Sequence, residues 1–472
     1  MTQTSRDASS ARTLHVDVAI LGAGTAGAAC AFHCASRGLK VVLVEKKSRE
    51  KAGARWVNGV TARQFVDAGI PLPMGDELVC DAGPFHMIAN EGPTRVRIEG
   101  QGDLGHGIID VDMRKLVARL QAMAEEAGAI FEDDAEIKSD NEELCGGNVV
   151  TKRSRYKAKV VVDATGLHGR HLLNGPKVLP QHLCVAAQAV FDVKDPAAAD
   201  AFFVENRVPP GEVCCFTGVE GGYSIVNVRK DHDHIAVLTG SIPGLGFASG
   251  KIMLDRFVDD HAFIGKKRFG GARAIPLRRP RDVLGEARVA AIGDAGCQVF
   301  SAHGSGIGLG MVAARLVAET LSAGGSPADY SRAFLRRHGG LLAAYDLFRR
   351  FSATFSSQDL EMLIHSGLFD DVTAASGMAQ VWPRMSLQNP AEALQMASKK
   401  LLGLPKARRL LPRLLPVAMK MPLLAALYAD IPEDDSAWDY AGLFDFSRRV
   451  ARIFNEEPDV RASRCYSLGE LQ

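Results

Sequence analysis

Unbroken apolar runs, each ending in a glycine-rich turn, recur at three widely separated places in the chain. The first lies in "VDVAILGAGTAGAACAFHCASRGLKVVLVEKK", where the β-branched run from Val16 to Leu21 predicts a buried strand. A small-residue helix to about Arg37 follows, and "LKVVLVE" reads as a second buried strand ending at Glu45. The other two runs, "AKVVVDATGLHGR" (158–170) and "EARVAAIGDAG" (286–296), read as strands that return to the same sheet. Between them, from 172 to 285, segments such as "HLCVAAQAVFDV", "GEVCCFTG" and "YSIVNVRKDHDHIAVLTG" alternate apolar and polar positions between turn signals. That pattern predicts a separate β-rich unit. Beyond about 325 the pattern turns helical. The reading is an α/β unit made of 14–171 and 286–325, an inserted β-rich unit of 172–285, and a helical region of 326–472.

The first turn carries chemistry. Its glycines fall at Gly22, Gly24 and Gly27, with Thr25 and Ala26 between them. Gly22 permits the tight turn, Gly24 lets backbone approach a pyrophosphate, and Gly27 lets the helix lie close on the sheet. The free N–H groups of the helix start would face the phosphates. Glu45, followed by Lys46, stands 18 residues beyond Gly27, near the spacing at which an acid accepts hydrogen bonds from an adenosine ribose. A plain βαβ unit needs none of that acid chemistry. Strand, helix, second strand and acid agree on a dinucleotide.

The interruption says which one. A nicotinamide dehydrogenase would complete its sheet contiguously, whereas here "ARWVNGV" and a long irregular region intervene. Return of the sheet after an insertion is the pattern of FAD enzymes, so the expected fold is a Rossmann-like FAD-binding domain of the glutathione-reductase type. In "VVVDATG", small Ala164, Thr165 and Gly166 admit cofactor at the carboxyl edge of the sheet. Asp294 of the Gly293-Asp294 pair can accept from a ribityl or ribose hydroxyl. The glycine-led helix that begins around Gly304, Gly306 and Ile307 offers a positive dipole end to the electron-rich edge of a reduced flavin.

Taken together, "GAGTAG…VVLVE", "VDMRKLVARLQAMAEEAGA", "VVVDATG" and "GDAGCQVFSAHGSGIG" resemble the FAD-dependent geranylgeranyl reductase family, over roughly residues 15–400. Its relatives are the flavin-dependent halogenases and single-component aromatic hydroxylases. The resemblance implies that Arg114 of "VDMRKL" lies against FAD, that Gly304 and Gly306 flank the flavin ring, and that Arg55 of "ARWVNGV" is close to the cofactor. This chain departs from the family at the substrate side. Trp56 stands where those reductases carry a Cys, and Ser301 where they carry a Pro. Their Y-x-W-x-F-P motif reads "YSIVNV", which keeps Tyr223 and substitutes Ile225, Asn227 and Val228. Trp56, Tyr223 and Asn227 are therefore the candidate substrate residues. The halogenases' W-x-W-x-I-P signature is absent.

Composition narrows the setting. The net charge of +1 gives no reason to expect nucleic acid, and nine cysteines without C-x-x-C spacing fit a reduced, cytoplasmic protein. No secretory signal precedes the first strand, and no run of about 18 apolar residues could span a bilayer. His232 and His234 with their aspartates read as a polar hairpin turn, and no metal site is expected. The stretch 394–429 holds seven basic residues (Lys399, Lys400, Lys406, Arg408, Arg409, Arg413, Lys420), interleaved leucines and no acid. It reads either as a membrane-surface patch or as a helical cap whose leucines face the core. Its prolines at 405, 412, 416 and 422 argue against one long helix.

The expected activity is that of an FAD-dependent oxidoreductase. Reduced flavin N5 would deliver hydride to a C=C bond of a lipophilic, prenyl-like or other small organic substrate. His303 is the candidate proton donor, and electrons would come from NAD(P)H or a redox carrier. The alternative is a monooxygenase working through a flavin C4a-(hydro)peroxide, and a third reading is a non-catalytic flavoprotein.

Overall fold

The computed structural model describes residues 13–81, 83–89, 94–99, 107–173, 175–382, 407–433 and 438–460. Thr13–Leu21 lies at the centre of the first sheet, parallel to Arg155–Asp163 on one side and Val41–Val44 on the other. Ile130–Glu132 extends one edge, and Val289–Ala291 with Gly285–Glu286 extends the other. The three apolar runs thus lie in one sheet, because each is apolar on both faces. Val18 and Ile20 pack against the helices Thr25–Ala35, Met113–Glu126 and Ile307–Ser322, while Ala19 and Leu21 enter a second core on the opposite face.

The second sheet has seven strands in the order Ile264–Pro276, Leu183–Val193, His234–Ser241, Ser224–Asp231, Val213–Thr217, Phe85–Ala89 and Arg95–Ile98. Here side chains alternate. Val226, Val228, Ile235 and Val237 pack under the helices Pro196–Glu205 and Gly250–Asp260, and the intervening residues face the other way, into a cavity. His232 and Asp233 form the tight turn between Ser224–Asp231 and His234–Ser241. The last two strands come from 85–98, a segment that the sequence pattern assigns to the α/β unit. Phe85–Ala89 pairs in parallel with Val213–Thr217, and backbone pairing across so long a separation leaves no local trace in the sequence. Val57–Thr61, Ile108–Asp112 and Leu78–Cys80 form a small third sheet with Ile108–Asp112 at its centre.

In the C-terminal region the expectation drawn from the prolines is corrected. Leu411–Ala429 is one nineteen-residue helix with Pro416 and Pro422 inside it. Tertiary packing outweighs the lost backbone bonds: Val417, Leu424, Leu427 and Tyr428 are buried against the helix Gly340–Ser352. Gly340 allows close approach there, since a methyl placed on it would lie 3.1 Å from Ala425 Cα. Arg409 pairs with Asp359 at 2.9 Å and Arg413 with the same carboxylate at 3.4 Å, as the cap reading requires. Leu415, Met419 and Leu423, four residues apart, remain 39%, 55% and 56% exposed. The remainder of the basic stretch, 394–406, lies outside the described residues, as does the side chain of Arg408.

Beneath these helices runs a buried ionic network centred on "LRRPRD" (277–282). Arg278 pairs with Asp459 at 2.7 Å, Arg279 with Asp282, and Arg349 and Arg350 with Asp346 at 2.6 and 2.9 Å. Ser447 donates to Asp282 and accepts the Asp459 N–H, which ties the helix Tyr440–Phe454 to the segment leading into the Gly293-Asp294 turn.

Candidate functional site

The dinucleotide turn has the shape its glycines predict. Gly22 adopts φ +99°, and a methyl there would sit 2.5 Å from the Ala164 carbonyl oxygen. A methyl on Gly27 would sit 1.9 Å from the Gly22 oxygen, so helix and turn close only without it. The helix Thr25–Ala35 begins at Gly24 with no side-chain cap and no acid in its first turn. Its first N–H groups are left for an anion.

Glu45 is buried at the end of the second strand, where Oε2 accepts the Ala23 N–H at 2.9 Å and Oε1 the Lys47 N–H at 3.0 Å. Each oxygen keeps a lone pair for a ribose hydroxyl. Ala164, Thr165 and Gly166 form the turn against Gly22. Ala26 lies between Gly293 and Gly310, whose added methyls would fall 3.2 and 3.1 Å from its Cβ. Asp294 is half-buried beside Gly306, and burial raises its pKa against the opposing pull of Arg273. The helix Ile307–Ser322, N-capped by Gly306, is again uncapped by any side chain and free of acid in its first turn. These features fit FAD along its length: an anion cradle, an acid at ribose distance, and a second bare helix start at the ring end.

Six other candidates gather around one cavity of about 860 Å³: Trp56, Arg114, Tyr223, Asn227, His303 and Gly304. Trp56 and the third sheet form one wall, and the inward face of the second sheet forms the floor. Leu360, Leu363, Phe369 and Met378 close the far side. Gly304, at φ +75°, faces Tyr223, whose hydroxyl lies 3.4 Å from a methyl built on that glycine. Arg114 is held by Asp112, with Nε donating to Oδ1 at 3.0 Å, and its guanidinium lies 3.9 Å from the Phe269 ring centroid. Asp112 also N-caps that helix.

Two candidates are not brought in. Lys46 is exposed, and exposed Arg55 donates to the Glu50 carbonyl. His303 does reach the cavity, but burial lowers its pKa to about 4. It is neutral near pH 7 and poorly suited to hold a transferable proton as imidazolium. The Tyr223 hydroxyl is pushed the other way, far above its usual range, by burial, and stays protonated.

Several supporting residues escaped the sequence reading. Asp163 accepts the Thr165 N–H at 3.0 Å and the Leu172 N–H at 3.2 Å, which fixes the "DATG" turn. Gln298 accepts the Gly293 N–H at 2.7 Å and donates to Tyr330, and Gln121 donates to the Ala23 carbonyl at 3.0 Å. Asp163 carried a signal, being an acid at the end of an apolar strand. Gln121 carried none, since it acts on a segment 98 residues away, and Gln298 is polar at an otherwise unremarkable position five residues beyond the glycine that it holds.

Comparisons with known proteins agree with this geometry. The profile of the FAD dependent oxidoreductase family matches residues 17–75, which hold the dinucleotide turn and Glu45. A digeranylgeranylglycerophospholipid reductase of Sulfolobus acidocaldarius is 24% identical over 94% of this chain and 98% of its own. The geranylgeranyl diphosphate reductase of a Synechocystis species is 24% identical over 84% of this chain and 99% of its own. Among solved structures, a geranylgeranyl bacteriochlorophyll reductase-like protein from Thermoplasma acidophilum aligns with TM-score 0.65 at 16% identity, covering 83% of this chain and all of its own. The myxobacterial chondrochloren halogenase aligns with TM-score 0.57 at 16% identity, over 88% of this chain and 97% of its own. With the FAD cradle formed and the relatives matched over nearly their full lengths, the chain is an FAD-dependent oxidoreductase that resembles the geranylgeranyl reductase family.

Proposed function

We propose that this protein reduces a C=C bond of a lipophilic, prenyl-like substrate lying in the 860 Å³ cavity against the Gly304 turn. The observation that carries the reading is the cavity itself: an apolar sheet face and an apolar helical wall meet the bare, glycine-led helix start where the flavin ring belongs. The reductase names of relatives that match from end to end support it. FAD, when bound, supplies hydride chemistry. The first turn of Thr25–Ala35 holds its pyrophosphate, Glu45 its ribose, and Asp294 a hydroxyl of the linking chain. Trp56 and Leu363 exclude water from the substrate side. Tyr223 holds a proton at its hydroxyl beside Gly304. NAD(P)H or a redox carrier renews the electrons.

The exposed stripe of Leu415, Met419 and Leu423 rests on a membrane surface from which such a substrate is drawn. Among the described residues no helix is long and apolar enough to cross a membrane. Flotation with anionic vesicles, lost on replacing all three residues by Gln, is the expected result.

The reaction is tested by reducing the FAD-loaded protein without oxygen and adding a polyprenyl alcohol. Return of the oxidised flavin spectrum, with product heavier by two hydrogens, is expected, and Tyr223→Phe slows it about a hundredfold. No reoxidation, or oxygen incorporated into product in air, overturns the reading.

A further inference from the structure

The cavity-facing row of strand Ser224–Asp231 reads Ile225, Asn227, Arg229, continuing from Tyr223 at the ring end. Most of the surrounding floor is apolar. Asn227 is flanked across the sheet by Cys215 on one side and Leu238 on the other. Yet the carboxamide oxygen of Asn227 is buried with no hydrogen-bond partner, and so is Nε of Arg229, two residues along the same face. Leucine or isoleucine would fill this position without that cost, as Leu238 and Ile225 do beside it. An unpartnered acceptor and an unpartnered donor on one strand face match one chemical group: a hydroxyl, which gives one hydrogen bond and takes another.

Electrostatics separates that group from an anion. The cations of the cavity wall are already matched to carboxylates: Arg114 to Asp112, Lys115 to Asp76, Arg229 to Asp110 at 2.9 Å, and Arg268 to Asp192 and Asp233. Asp81, Glu99 and Asp231 add further acids to the same wall. A phosphate would have to displace an existing pair and approach these acids. A neutral hydroxyl displaces nothing.

Resting on the proposed reading of the cavity, we infer that Asn227, with Arg229, forms a polar subsite that binds an uncharged hydroxyl of the substrate and selects it over a phosphorylated one. On a strand rising about 3.3 Å per residue, the subsite lies about 13 Å from Tyr223. It would therefore hold the substrate at a point remote from the bond being reduced, as a positioning contact.

The test titrates FAD-loaded protein with three probes, a C20 polyprenyl alcohol, its methyl ether and its diphosphate, and reads the shift of the flavin absorbance band as binding. The alcohol is expected to bind about tenfold more tightly than the ether, which cannot donate, and more tightly than the diphosphate. Asn227→Leu is expected to erase the alcohol's advantage over the ether, and Asn227→Asp, which keeps the acceptor, to retain it. Flavin content and melting temperature check that both variants fold. Equal binding of alcohol and ether by the unaltered protein, an advantage that survives Asn227→Leu, or preference for the diphosphate overturns the subsite while leaving the cavity reading intact. If none of the three shifts the flavin band, the prenyl reading of the cavity falls and the subsite with it.

Discussion

At the cofactor end, the helices Thr25–Ala35 and Ile307–Ser322 start at Gly24 and Gly306 with no side chain over their first N–H groups. In the C-terminal region, the helices Pro327–Phe334, Ser357–His365, Asp371–Met378 and Tyr440–Phe454 each start under a side-chain acceptor: Ser326, Ser356, Asp370 and Asp439. Every helix start has the same unsatisfied donors. The second group satisfies them from within the chain, and the first leaves them for a ligand. The same contrast governs packing. The cofactor end is built by removing side chains, so that Gly22 and Gly27 bring backbone against backbone. The C-terminal end is built by adding charge, with Arg278, Arg279, Asp282 and Asp459 fully buried together.

Breaking each region in its own way sharpens that contrast. The largest effect is expected from Gly27→Ala, whose methyl would meet the Gly22 oxygen at 1.9 Å. The turn must open, and the purified variant is expected to lack the yellow flavin spectrum even after incubation with FAD. Wild-type FAD affinity would falsify the account of the cradle.

Asp459→Ala leaves Arg278 and Arg279 short of a partner in the interior. A loss of about 3–5 kcal/mol in unfolding free energy is expected, with FAD affinity in the folded fraction unchanged. Denaturant titration measures the first and flavin titration the second, and a loss below 1 kcal/mol counts against the network as a stabilising unit.

Acid probes the same network more gently. Arg278 and Arg279 hold Asp459 at about 2, below the ordinary 3.8, and His182 and Arg350 hold Glu456 at about 2, below 4.5. Carboxyls depressed in the folded state contribute stability above their unfolded pKa and lose it as pH falls through the folded one. Stability is therefore expected to decline from about pH 4.5 toward pH 2, and to decline less in Asp459→Ala. Equal acid sensitivity of the two proteins breaks the assignment.

The smallest effect belongs to a cap. Ser326→Ala is expected to cost about 1 kcal/mol with no change in flavin binding, since that helix start faces no ligand. A change in FAD affinity from this substitution would erase the distinction between the two kinds of helix start.

The amino-acid sequence by itself determined the cofactor end. Gly22, Gly24, Gly27 and Glu45 belong to one strand–helix–strand unit, so their spacing along the chain carries their geometry. The resemblance to the geranylgeranyl reductases also marked Trp56, Tyr223 and Asn227 as candidate substrate residues, and all three line the cavity. Tertiary structure decided what depends on distant partners. It alone joined 85–98 to the second sheet through backbone pairing that any side chains allow. It kept Leu411–Ala429 helical through two prolines by packing it on Gly340. It matched Arg278 and Arg279 with Asp459, and it turned His303 from a candidate proton donor into a half-buried, neutral ring on the cavity wall. Pairing, burial and the dielectric around a charge are properties of neighbours in space, and linear order does not encode which residues those neighbours are.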